Sequence, residues 1–353
     1  MHVKILVGLG VATLVCLVTG CSSQTPASSP STSTAYSVSP SAPLQEPFGS
    51  VLARWNYYRV NAGVPPIVAD PALNEAALHH AKYLVNNHIE AGDGTVENGH
   101  LIETGWNVSA HAESVGNPWY TEDGAKWADY ANVFRGTGIP ADGSALVDEQ
   151  ASRLDSFAVL DPQLAAVGFG IYCQKDDCVG VIVYRRGLTK SQFLALYEGN
   201  SMDWNAMLGT MPFTVARLRK PIEFPDPAVP FPSRAFRGGE YPDTLASCHG
   251  YSVPTGVPIV LELGASSEGQ NVKVSSSSLS EDGAQVETCA YDATSYANPD
   301  GSQQSRSREV LHDYGAVVVI PKNPLEPGHQ YTVSIVADSQ PYTWSFSVAP
   351  NAK

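Results

Sequence analysis

Apolar positions between residues 48 and 84 recur at the three- and four-residue spacing of helix faces. Phe48, Val51, Leu52, Trp55 and Tyr58 share one side of a first helix, which Asn61-Ala62-Gly63 and the prolines at 65 and 66 bring to an end. A second helix is expected from about Asp70, which can cap it while Pro71 takes the first position. Leu73, Ala76, Ala77, His80, Ala81 and Leu84 lie on its apolar face. The runs AVGFGIYC (166–173) and CVGVIVYRRG (178–187) read as a hairpin around QKDD. From Tyr241 the period falls to two: Tyr331, Val333 and Ile335 alternate with Thr332 and Ser334, and Trp344, Phe346 and Val348 with Thr343, Ser345 and Ser347. The runs TGVPIVLELG, QNVKVSSSSLS, QVETCAYD and GAVVVIP bring the total to about six strands, the pattern of a small Ig-like β-sandwich.

These patterns divide the chain. Residues 1–20 read as a lipoprotein signal peptide: Lys4, then an apolar run from Ile5 to Val18 that is short of the ~20 residues a bilayer-spanning helix needs. Val18-Thr19-Gly20-Cys21 resembles the bacterial lipobox, making Cys21 the expected lipidation site and acyl chains the expected anchor. Residues 21–47 form a Ser/Thr/Pro-rich tether without apolar period. An α+β domain is expected over 48–200 and a Pro-rich linker, or a strap packed on a surface, over 201–240, where PIEFPDPAVPFPSR (221–234) excludes helix and central strand. The Ig-like module follows over 241–353. The expected location is the outer face of a bacterial cytoplasmic membrane.

Charge and cysteines narrow the partners. A net charge of −14, with 21 Lys plus Arg against 35 Asp plus Glu and no basic run, excludes a nucleic-acid partner. Cys16 falls in the signal and Cys21 in the lipobox, leaving Cys173, Cys178, Cys248 and Cys289. Three pairings are open; Cys173–Cys178 with Cys248–Cys289, one bridge per domain, is favoured in an exported chain.

The segments WNYYRVNAGVPPIVADPALNEAALHHAKYL (55–84), SAHAESVGNPWYTEDGAKWAD (109–129) and LDPQLAAVGFGIYC (160–173) follow one another in the chain. Together they resemble the CAP superfamily, named for cysteine-rich secretory proteins, antigen 5 and pathogenesis-related 1. The resemblance implies an α-β-α sandwich and a cleft in which two histidines and two acids can coordinate a divalent metal such as zinc. By position His111 matches the first histidine and Glu113 a nearby acid; were the segment extended, these two would share a face and orient one another. The second histidine should precede Asp161-Pro162, but Asp155 stands there, a departure that weakens the metal reading. Glu149 is the candidate helix acid.

Competing chemistries find no support. There is no GxSxG elbow, HExxH, Walker loop or GxGxxG after a strand, and AGDGTVENGH lacks calcium-loop spacing. His79 and His80 are adjacent on a helix and cannot face one site; His80 is expected as a satisfied core residue. Trp106, Trp119, Tyr120 and Trp127 either line a groove or fill the core. The altered tetrad favours a binding protein for a small or lipidic ligand or a cell-envelope component, over a metal-dependent hydrolase or a non-catalytic scaffold.

Overall fold

A computed structural model describes residues 50–90, 95–97, 100–102, 108–129, 131–137, 139, 143–154, 156–187, 217–264 and 271–352. The expectations for the signal, Cys21, the tether, Trp106 and Asp155 lie outside these residues.

The first half follows the apolar pattern closely. Helix α1 spans Val51–Asn61, capped by Ser50 accepting the Ala53 N–H, and α2 spans Pro71–Asn86, capped by Asp70 accepting the Ala72 N–H. The shorter α3 (Glu122–Ala128), α4 (Ser144–Ala151) and α5 (Ser156–Leu160) follow. The strands are β1 (Val68–Ala69), β2 (Thr95–Glu97), β3 (His100–Ile102), β4 (Ala131–Gly136), β5 (Leu164–Gln174) and β6 (Asp177–Arg186), in the order β1-β5-β6-β4-β2-β3. β5 and β6 form the expected hairpin, closed by the Cys173–Cys178 disulfide.

Alternation along β6 builds three layers. Val179, Val181 and Val183 join Leu73, Ala77, Ala81 and Leu84 of α2 in one cluster. Cys178 and Ile182 face the other way, toward Val51 and Trp55 of α1 and Leu146 and Val147 of α4. Two glycines explain the Val-Gly-x-Gly strand. A β-carbon on Gly168 would sit 2.3 Å from the Leu73 carbonyl carbon, and one on Gly170 would sit 2.1 Å from the Leu78 nitrogen. Helix α2 therefore lies directly on the backbone of β5.

The second half comprises β7 (Arg217–Phe224), β8 (Ala235–Phe236), β9 (Thr255–Gly256), β10 (Ile259–Gly264), β11 (Val274–Glu281), β12 (Ala284–Val286), β13 (Thr288–Asp292), α6 (Gly301–Tyr314), β14 (Ala316–Pro321), β15 (Gln330–Ala337) and β16 (Gln340–Ser347). Two four-stranded sheets result, ordered β13-β14-β10-β7 and β12-β11-β15-β16, with the Cys248–Cys289 bridge formed. β15 and β16 bury alternate residues, as the period of two requires.

Two regions add to the expected organisation. Within 201–240, read as a linker or a strap packed on a surface, Arg217–Phe224 form β7, which pairs with β10 at the sheet edge, the position where Pro221 can be accommodated. Phe231 then ties the following strap to the last strand: its N–H donates to the Ser347 carbonyl and its carbonyl accepts from Ala349 N–H, both at 2.8 Å. The region read as all-strand contains α6, whose signals were local: Asp300 accepts from the Ser302 and Gln303 N–H groups, and Gly315 ends the helix at φ 54°.

The two halves share one hydrophobic core. All six residues of β10 and of β14 are buried, so their sheet is covered on both faces. Strand β11 of the second sheet and helix α6 pack on this sheet, and the α1/α4/α5 layer meets the second half through aromatic pairs. Tyr58 of α1 meets Phe224 and Phe231 at ring-centroid distances of 6.2 and 6.1 Å, and Phe157 of α5 stacks on Tyr314 at 5.0 Å. Polar contacts run beside them. Arg153 donates to the Gly239 carbonyl, and Arg186 of β6 bonds both Asp161 and, at 3.1 Å, the Tyr314 hydroxyl.

Candidate functional site

The segment carrying His111 and Glu113 is not extended. Val108–His111 forms a 3-10 turn, which removes the premise that residues two apart share a face. His111, 5% exposed, directs Nδ1 to the Ala128 carbonyl at the end of α3, 3.1 Å away. Glu113 instead turns to α2. Its Oε1 lies 2.9 Å from His80 Nδ1, and its Oε2 accepts the Thr121 N–H at 2.9 Å. The His80 and Glu113 side chains are 1% and 0% exposed.

His80 is thus both the core residue its helix position suggests and the partner of Glu113. Its Nε2 lies 2.8 Å from the Ala110 carbonyl. A carbonyl only accepts, so Nε2 carries a hydrogen, and the Nδ1···Oε1 pair holds one proton between ring and carboxylate. Neither ring nitrogen offers a lone pair to a metal or substrate. Gly124 leaves the necessary room, since a β-carbon there would lie 2.4 Å from Glu113 Oε1. The Thr-x-x-Gly spacing in the sequence supplies both parts, because Thr121 also caps α3 by accepting the Gly124 N–H.

A second pair lies nearer the surface. His79 Nδ1 faces both Asp123 oxygens, at 3.0 and 2.8 Å, with side chains 36% and 42% exposed. Burial alone would raise the Asp123 carboxyl, but hydrogen bonds from His79, Thr121 and the Gly124 N–H outweigh it and hold it below its ordinary range. The spacing argument that His79 and His80 face different places holds, and each has found its own carboxylate.

The remaining candidates go elsewhere. Glu149 pairs with Arg153 one turn along, at 2.9 Å, on the side facing the second half of the chain. Among the described residues no three His, Cys, Asp or Glu side chains are grouped so as to hold a metal ion. With Glu113 turned to His80 and Thr121, and Glu149 to Arg153, the candidate acids among the described residues do not fit the divalent metal the family resemblance implies, and no reaction step is derived through one.

Between the two pairs, residues 114–121 form a loop locked by polar contacts. Ser114 N–H donates to Tyr83 Oη at 3.0 Å, Asn117 bonds Asn87 at 2.6 Å, and Trp119 N–H donates to Asn117 Oδ1 at 2.9 Å. Val115 and Trp119 point outward, 84% and 46% exposed.

Glu113 gives a direct test of this geometry. In Glu113→Gln the carboxamide can donate to Nδ1 and accept from Thr121, so urea denaturation should show a loss below about 1 kcal/mol. Glu113→Ala strands buried donors and should cost about 2–3 kcal/mol.

Residues 52–184 match the model of the Cysteine-rich secretory protein family, CAP, which is less than half of the chain. These residues form a CAP domain. No curated protein matches the chain. A solved structure, an extracellular protein containing a SCP domain from Bacillus anthracis str. Ames, is similar at 15% identity with a TM-score of 0.25, covering 38% of this chain and 39% of that one. This chain therefore spans about two fifths of that protein's length. Among the described residues no helix is long and apolar enough to cross a membrane.

Proposed function

We propose that this chain, with a CAP domain at 52–184, is an exported, lipid-anchored binding protein rather than a metal-dependent hydrolase. The observation that carries this reading is the closed His80–Glu113 pair. The acid expected to serve a metal or a substrate is fully buried and hydrogen-bonded to protein, while general acid–base work needs a group within reach of its substrate. The exposed Trp119 and Val115, on a loop already held in shape, provide a contact surface that loses little conformational freedom on binding. The ligand class is a cell-envelope component with an apolar or sugar face suited to an indole ring.

The paired four-stranded sheets support an Ig-like reading of the C-terminal region, with α6 inserted between β13 and β14. Its shared core with the CAP domain makes it a rigid brace rather than a swinging spacer. Lipid on Cys21 would hold the assembly at the membrane.

Sedimentation of the protein with envelope fractions tests the binding reading. Wild type should co-sediment, and a Val115→Ser, Trp119→Ala double variant should lose at least about tenfold in affinity, the loss of one central aromatic anchor. Equal binding by the double variant, or zinc-dependent hydrolysis abolished by His111→Ala, would overturn it. An alkyne fatty acid should label wild type and not Cys21→Ala.

A further inference from the structure

We propose that the junction between the CAP domain and the β-region is a proton-linked latch: Glu262 stands uncharged between the two halves, and their union weakens when its carboxyl ionises. Glu262 lies on β10, opposite Ile222 of β7 and Ala316 of β14, and is 1% exposed. Among the described residues, neither of its oxygens has a hydrogen-bond partner. A carboxylate in such a place would give up hydration and receive no donor in return, which disfavours the charged form.

The groups around it do not remove that cost. Arg59 of α1, within Coulombic range, already donates to the Pro65, Val159 and Asp161 carbonyls at 2.8, 2.9 and 2.8 Å. Asp161, ahead of β5, accepts from Arg186 of β6 and from the Gln163 N–H. Tyr314, at the end of α6, is bonded to Arg186, and Tyr184 lies on the same strand as Arg186. Asp313 and His312 of α6 face each other at 3.3 Å. Burial pushes Glu262 well above the carboxylate range; Asp161 adds to the rise and Arg59 opposes it. Burial likewise raises Asp313, against hydrogen bonding from His312.

The sign follows from linkage. The folded junction holds a proton on Glu262 that the unfolded chain releases near the ordinary carboxylate value. Its contribution is fully present below that value and is lost as pH rises toward the folded one. The folded-to-unfolded ratio should fall by up to about tenfold per pH unit across that window. Burial also raises Asp313, Glu223 on β7 and Asp226 after it, the last to about 6, and each adds a slope of the same sign, so the comparison must remove Glu262 alone.

Denaturant titrations of the full chain, from pH 5 to pH 8.5, test this. Wild type should lose stability across the range more steeply than Glu262→Gln. Glu262→Leu, which is apolar and needs no partner, should share the flatter profile and exceed wild type at pH 8.5. An infrared band from a protonated carboxylic acid should be present in wild type at pH 7 and absent from Glu262→Gln. Parallel pH profiles in all three proteins, or an unchanged infrared spectrum, would overturn the latch.

Discussion

Gly170→Ala should leave no stably folded CAP domain. The added β-carbon would lie 2.1 Å from the Leu78 nitrogen, 2.5 Å from the Ala77 carbonyl carbon and 2.5 Å from the Leu78 α-carbon. These are backbone atoms in the middle of α2, so no side chain can swing aside. Relief requires α2 to move off the sheet, which would open the cluster of Leu73, Ala77, Ala81, Val179, Val181 and Val183. A loss above about 4 kcal/mol is expected, in the range reserved for core overpacking and strain. Gly301→Ala is the control: it lies in the first turn of α6 with nothing within 4 Å of the added atom. That variant should be neutral or slightly stabilising, since alanine is the better helix former. Circular dichroism melts of both proteins decide the point.

Arg59→Met should cost at least about 3 kcal/mol, because each buried carbonyl left without its donor costs about 1–3 kcal/mol. Arg59 is 0% exposed and joins three carbonyls, from the turn after α1 and from either side of the α5 end. Methionine fills similar space but leaves all three acceptors without this donor. Lysine keeps the charge yet lacks the planar fork that reaches several acceptors at once, so Arg59→Lys should recover only part of the loss. Urea midpoints for the two variants give the comparison.

Much of this architecture was legible in the residues. Asp70-Pro71 marked the start of α2, and the alternation of Tyr331, Val333 and Ile335 marked a sheet with one solvated face. The contrast between that alternation and the near-continuous apolar runs, AVVVI unbroken and IVLEL interrupted by Glu262 alone, also carried information, since such strands are covered on both faces. What covers them was not legible, because a periodicity names no partner. The site was harder for a similar reason. Glu113 was visible as a polar residue near a histidine, but its neighbour in sequence is not its neighbour in space. Its partner is His80, 33 positions earlier, reached only once α2 packs on the sheet. The shape of the 108–111 turn decided which histidine won, and no local period announces a single 3-10 turn.

The central claim is that the CAP domain and the β-region form one body around a shared core. Differential scanning calorimetry of the intact chain tests it most directly. A single transition is predicted, with the calorimetric enthalpy equal to the van't Hoff enthalpy, and destabilising either half with Glu113→Ala or Glu262→Lys should shift the whole transition. Two resolved transitions, of which each variant moves only its own, would contradict it.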